Sequence, residues 1–138
     1  MRTIGKYKIL GRLGKGGMSR VYRAELPILR KILALKYLSP HPFLVDLIGM
    51  DAIRALFLNE ARLIGGIQHP NIISVWDYDE HNGMPYYTMD YHSRNLGGMI
   101  GESYEPERRS RPISVEKTLS FGLQILEGLR CLHHYGIV

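Results

Sequence analysis

"GRLGKGGMSRVYRA", residues 11–24, places four glycines within seven positions and then passes directly into residues that favour strands. Glycines this dense give up side-chain packing and leave a backbone that is costly to order, so the chain must gain something else from them. The flanking runs supply the setting. "YKILGRLG" (7–14) and "SRVYRAEL" (19–26) are short and rich in β-branched or aromatic residues, and the glycine cluster between them predicts a hairpin. Three phosphate-binding patterns use glycines, and their contexts differ. The P-loop string G-x-x-x-x-G-K-[ST] does not occur here. A dinucleotide fold needs its glycines to open a helix inside a strand–helix–strand unit, whereas the residues after Gly17 alternate as a strand. What remains is a glycine-rich β-hairpin, whose tip can lie close over phosphates because it carries no bulky side chains. A hairpin tip with no ligand is the plain counterpart of that reading.

The rest of the chain extends the sheet. "KILALKYLSP" (31–40) reads as a third strand ending at Pro40, with Ile32, Ala34 and Lys36 on one face and Leu33, Leu35 and Tyr37 on the other. From Leu44 to Ile64, the residues Ile53, Leu56, Phe57, Glu60 and Ile64 recur at helical spacing, and Gly65 and Gly66 mark a stop. "HPNIISVWDYDE" (69–80) and "MPYYTMDY" (84–91) are strand-like and flank His81, Asn82 and Gly83, a tight-hairpin signal. Residues 92–112 mix glycine, proline and charge and read as linker, one short helix and an exposed loop. Ser114 is a candidate N-cap for a last helix from about Val115 to His133. This order predicts an α+β fold with an antiparallel sheet.

Composition narrows the class. With 138 residues, 45% hydrophobic and 22% charged, the chain reads as one soluble globular unit. The net charge of +5 fits an anionic small ligand and an ordinary basic surface better than a nucleic-acid site. The arginines are spread along the chain, and the dense run "ERRSR" (107–111) is offset by Glu102, Glu105 and Glu107, with no aromatic-interleaved basic stripe. The single cysteine, Cys131, excludes an intrachain disulfide framework and a cysteine-based metal cluster, and fits a reducing cytoplasm. "MRTIGKYKIL" lacks an apolar signal core, and no run reaches the roughly 18 apolar residues of a membrane span, so no membrane contact is expected within these residues. None of the histidines shows trusted ligand spacing; His69 reads as a buried structural residue and His133 and His134 as helix-end surface. Tyr86, Tyr87 and Trp76 read as packing.

Two charges stand where burial is expected. Lys36 lies mid-strand between a leucine and a tyrosine, and Glu60 lies on an apolar helix face between Phe57 and Ile64. Each would cost several kcal/mol to bury alone. Paired at about 4 Å, with an effective dielectric near 20, they attract by roughly 4 kcal/mol. Taken singly, Lys36 could snorkel to the sheet edge and Glu60 could lie on a solvated flank.

At this point the residues resemble a family. Gly14, Gly16, Gly17, Ser19 and Val21, then "LALK" (33–36), "FLNEARLIGGIQHPNII" (57–73) and "YYTMDYH" (86–92), are similar to the N-terminal lobe of eukaryotic-like serine/threonine protein kinases of bacteria, over nearly all 138 residues. The resemblance implies a five-stranded antiparallel sheet with one major helix over residues 1–91, followed by a hinge and the first helices of a C-terminal lobe over 92–138. It implies ATP as the bound nucleotide and a protein substrate. Gly14, Lys15, Gly16, Gly17, Met18 and Ser19 would cover the ATP phosphates, with Ser19 where many relatives carry a third glycine. Lys36 would hold the α- and β-phosphates and Glu60 would orient it. Leu13, Val21 and Ala34 would roof the adenine, Met89 would be the gatekeeper, and Asp90 and His92 would offer main-chain groups to the base.

The pattern also departs from the family. After "DYH" this chain has "SRNL", one residue shorter than the Gly-Gly connection common in relatives, and residues 102–111 are longer than usual. The H-R-D aspartate, the asparagine after it and the D-F-G aspartate are absent from these residues, so Mg2+ is expected only together with a complete C-terminal lobe. "LSFGLQILEGLRCL" (119–132) is apolar around most of its circumference, as in a helix inside a larger body. The expectation is a fragment, inactive alone, whose last helix meets a missing lobe or a partner protein. A pseudokinase-like binding module and a β-sheet domain without nucleotide are the other readings.

Overall fold

Six strands form one sheet in the order β1-β2-β3-β4-β6-β5, every neighbouring pair antiparallel. The computed structural model describes residues 2–100 and 112–137. In chain order the elements are β1 (Thr3–Ile4), β2 (Tyr7–Lys15), β3 (Ser19–Leu26), β4 (Lys31–Leu38), α1 (Pro42–Ile48), α2 (Met50–Gly65), β5 (Val75–His81), β6 (Met84–Met89), α3 (Leu96–Ile100) and α4 (Val115–His134). The expected α+β class and antiparallel sheet hold. The sixth strand, β1, is two residues long and pairs with Tyr7 and Lys8 through the turn at Gly5, whose φ of +52° suits glycine. The loop expected over 102–111 lies outside the described residues.

The structure divides into two units, Met1–Gln68 with Ile73–Tyr91, and His69–Ile72 with His92–Val138. In the first, apolar residues line both faces of the sheet. One face gathers Ile4, Tyr7, Tyr22, Ala24, Leu33, Leu35 and Tyr86. The other packs Leu38 and Tyr87 against Ile53, Phe57 and Ala61 of α2. The alternation read from β4 is therefore realised, with Leu33 and Leu35 on the first face and Lys36 and Leu38 on the side of α2.

The helix expected from Leu44 to Ile64 is two helices. Gly49 sits at φ +79°, where the chain turns; its N–H bonds the Val45 carbonyl to close α1 and its carbonyl accepts the Ile53 N–H to begin α2. Within α2 the buried residues are Ile53, Phe57 and Ala61, while Leu56 is exposed. The β5–β6 hairpin turns on Asn82 and Gly83, both at positive φ, with His81 paired to Met84, as the Asn-Gly signal predicts.

In the second unit Ser114 caps α4, its hydroxyl accepting the Lys117 N–H. Only Gly128 of α4 is buried, and a Cβ there would stand 3.2 Å from the Asn71 carbonyl oxygen, so the 69–72 turn packs directly on the helix backbone. The His69 ring is partly buried and its Nδ1 accepts the Asn71 N–H, a structural role. Leu119, Leu123, Ile125 and Leu126 are exposed. No helix among the described residues is long and apolar enough to cross a membrane.

Candidate nucleotide-binding site

The glycine hairpin joins β2 to β3. Irregularities between Ile9 and Gly11 and between Arg12 and Gly14 break its register, and the ladder resumes with Gly14 opposite Val21 and Lys15 opposite Arg20. Gly16 donates to the Ser19 carbonyl at 2.8 Å across the tip. An added Cβ at Gly14 or Gly17 would meet nothing within 4 Å, and neither residue has a positive φ. The chain's own packing and backbone thus place no demand for glycine at these two positions. What their bareness gives is open space beside main-chain N–H groups.

The flanking residues are placed unequally. Leu13 and Lys15 are exposed. Met18 folds back and packs on the cluster of Leu38, Ile53, Phe57 and Tyr87. Ser19 is not at the tip but is the buried first residue of β3, opposite Leu38. Val21 lies opposite Lys36, and Ala34, 5% exposed, lies between Arg23 and Met89 on the neighbouring strands. The small Ala34 side chain is buried on the same strand face as Lys36.

Lys36 and Glu60 are joined. The ammonium of Lys36 donates to Glu60 Oε1 at 2.5 Å, with the two side chains 18% and 33% exposed. Strand alternation aims Lys36 at α2, and Glu60, one turn beyond Phe57, meets it. The same Oε1 accepts the Tyr87 hydroxyl at 2.8 Å. Burial, with the adjoining Glu60 carboxylate, raises the Tyr87 phenol well above its ordinary range, so it stays a donor. From sequence Tyr87 reads as packing; its place opposite Lys36 in the β4–β6 ladder puts it on the same face as the lysine.

At the end of β6, Met89 pairs with Ala34 and Val75 and packs against the α2 side of the sheet. Asp90 is tied back to β5: its N–H bonds the Ser74 carbonyl, its Oδ2 accepts the Ser74 N–H, and its Oδ1 accepts the Trp76 indole N–H at 2.7 Å. Its N–H and both carboxylate oxygens are thus engaged within the protein. Trp76 is 56% exposed, with the Lys31 ammonium 3.7 Å above its ring, so it is a surface platform rather than core packing. His92 is exposed and begins the second stretch of the second unit.

Comparison with known proteins gives one answer. The protein kinase domain model matches residues 7–138. The chain is 32% identical to the serine/threonine-protein kinase PksC of Streptomyces coelicolor over 97% of its own length and 24% of that protein. It is 31% identical to the serine/threonine-protein kinase PrkC of Bacillus subtilis, covering 99% of this chain and 19% of that one. Its backbone superposes on the crystal structure of a cysteine-to-alanine mutant of the Mycobacterium tuberculosis PknI kinase domain with a TM-score of 0.70 at 25% identity, covering 98% of this chain and 51% of that one. The chain spans about a quarter or less of the length of these curated relatives.

Proposed function

This chain belongs to the protein kinase domain family, and from that premise we propose that residues 7–91 form the ATP-binding part of a serine/threonine kinase. The observation that carries the reading is the 2.5 Å contact of Lys36 with Glu60 on the α2 side of the sheet that also carries the bare glycine hairpin. In this reading ATP supplies the γ-phosphoryl group, and the protein supplies position and charge. Main-chain N–H groups at the bare tip around Gly17 face the phosphates, the Gly16 N–H being spent on the Ser19 carbonyl, and Lys36, oriented by Glu60, neutralises the α- and β-phosphates. Leu13, Val21 and Ala34 cover the base, Met89 closes its inner edge and the Asp90 carbonyl accepts from its amino group. The glycine stretch, bare at Gly14 and Gly17, fits such a ligand.

Magnesium accompanies ATP in this chemistry, but no group of three His, Cys, Asp or Glu among the described residues is placed to hold a metal ion, and we assign it no ligand here. Neither an H-R-D nor a D-F-G string occurs in the 138 residues, so nucleotide binding, and not phosphoryl transfer, is the role proposed for them. Calorimetric titration of Mg-ATP onto the chain tests this: saturable binding displaced by adenosine supports it, and no binding at millimolar ATP overturns it. Turnover of a protein substrate by the purified 138 residues would refute the second half.

The exposed Leu119, Leu123, Ile125 and Leu126 of α4 favour a second reading, a module that acts by docking on another protein. It predicts a stable complex whose formation is indifferent to ATP.

A further inference from the structure

We infer that Tyr87 is a positioning residue, a second anchor that holds Glu60 and α2 on the sheet independently of Lys36; the inference rests on reading Lys36 and Glu60 as the nucleotide-site pair. Tyr87 stands directly opposite Lys36 in the β4–β6 ladder, so the backbone register alone brings both side chains to α2. Both donate to one oxygen, Glu60 Oε1, the ammonium at 2.5 Å and the phenol at 2.8 Å. The tyrosine is 1% exposed, so water does not readily take its place as donor. Its ring lies 5.1 Å from that of Phe57, so the same residue grips α2 by an apolar contact one turn before the polar one. Tyr86 cannot substitute, because it points to the opposite face and bonds Asp79.

The physical consequence concerns what happens when Lys36 turns toward a phosphate. With a single donor, Glu60 would then be left a half-buried unpaired carboxylate, and α2 would gain by moving outward into water. With Tyr87 in place the carboxylate keeps a hydrogen bond, and the helix stays docked while the ammonium is shared with the ligand. Since burial beside Glu60 keeps the phenol protonated, this donor is present at any ordinary pH.

Amide hydrogen exchange of the full chain, without nucleotide, tests the assignment on residues 57–64. Lys36→Met alone should leave their protection within about threefold of the wild type, and Lys36→Met with Tyr87→Phe should lower it at least tenfold. Tyr87→Phe keeps the ring on Phe57 and loses only the hydroxyl, so β2 and β3 should exchange as before. Release of α2 by Lys36→Met alone, or a double variant no faster than Lys36→Met, overturns the inference. If the double variant does not fold, the Glu60 carboxylate 13C shift in Tyr87→Phe decides: a changed shift supports the bond and an unchanged one removes it. This exchange pattern among the variants, together with a wild-type chain that binds no ATP, would support the anchor while refuting the nucleotide reading.

Discussion

Lys36 and Glu60 lie 24 residues apart in the chain and meet at 2.5 Å, one from the middle of β4 and the other from the third turn of α2. Neither local segment dictates the meeting. It follows from Phe57 and Ile53 seating α2 against Leu38 and Tyr87, which brings the helix face carrying Glu60 over the strand face carrying Lys36. An apolar contact thus places a polar one, and the partial burial it creates keeps the ion pair from being dispersed by water.

Lys36→Met should weaken ATP binding at least about tenfold, roughly 1.4 kcal/mol, since it removes a charge-assisted contact while leaving a side chain of similar length. Calorimetry on the variant checks this, with circular dichroism to show that the sheet remains. Unchanged affinity would remove Lys36 from the site.

Glycine substitutions should split into two kinds. The Cβ of Gly17→Val meets nothing within 4 Å and the position has no positive φ to accommodate, so stability should shift by no more than about 0.5 kcal/mol while ATP affinity falls. Gly5→Ala should do the reverse: its Cβ would stand 2.1 Å from the Tyr86 hydroxyl at a φ of +52°. A loss of about 1–3 kcal/mol is expected there. Equal effects of both on stability would mean that the hairpin glycines serve the fold and not a ligand.

Trp76 is the sole tryptophan, and its indole N–H is held by Asp90, whose carbonyl is assigned to the adenine. ATP should therefore change the tryptophan emission, with the same midpoint as the calorimetric titration, and Lys36→Met should shift both together. Bound ATP with unaltered emission would argue against Asp90 as a contact.

Stability should fall at both ends of the pH scale. Burial opposes ionisation of Asp77, but hydrogen bonds from Lys6 and Tyr7 outweigh it and hold its folded pKa below the usual 3.8. The unfolded chain then takes up the proton first, so this contribution is present above about pH 4 and is lost as pH falls through the lowered folded value. Burial raises the Tyr7, Tyr86 and Tyr87 phenols above 10, so their contribution is present below that pH and lost above it. Urea midpoints from about pH 3 to about pH 11 would trace both limbs, and Asp77→Asn should flatten the acid one. An acid limb unchanged by that substitution would discard the Asp77 assignment.

Much of this site was legible before any coordinates. The hairpin, the alternation of β4, the helical spacing that carries Glu60 and the Asn82–Gly83 turn are local patterns, set by backbone sterics and side-chain period. The pairing of Lys36 with Glu60 was legible too, because two stranded charges solve each other's desolvation. Three features were not. The break at Gly49 is hidden inside a continuous helical period, and a glycine there is as readily a weak helix residue as a turn. Trp76 looked like core because an aromatic in a strand usually is, yet the bond to Asp90 and the lysine above it hold the ring at the surface.

The third is Tyr87. Sequence by itself determined the hairpins, which strand face carries Lys36 and which chemistry the glycines suit, since each depends on neighbours a few residues away. Tertiary structure alone decided that Glu60 Oε1 takes two donors, that Asp90 spends its main-chain N–H on Ser74, and that a side chain begun at Gly14 or Gly17 would meet nothing of the chain's own. Those outcomes depend on strand register and on how closely α2 approaches the sheet, distances that arise only when residues remote in the chain are packed together.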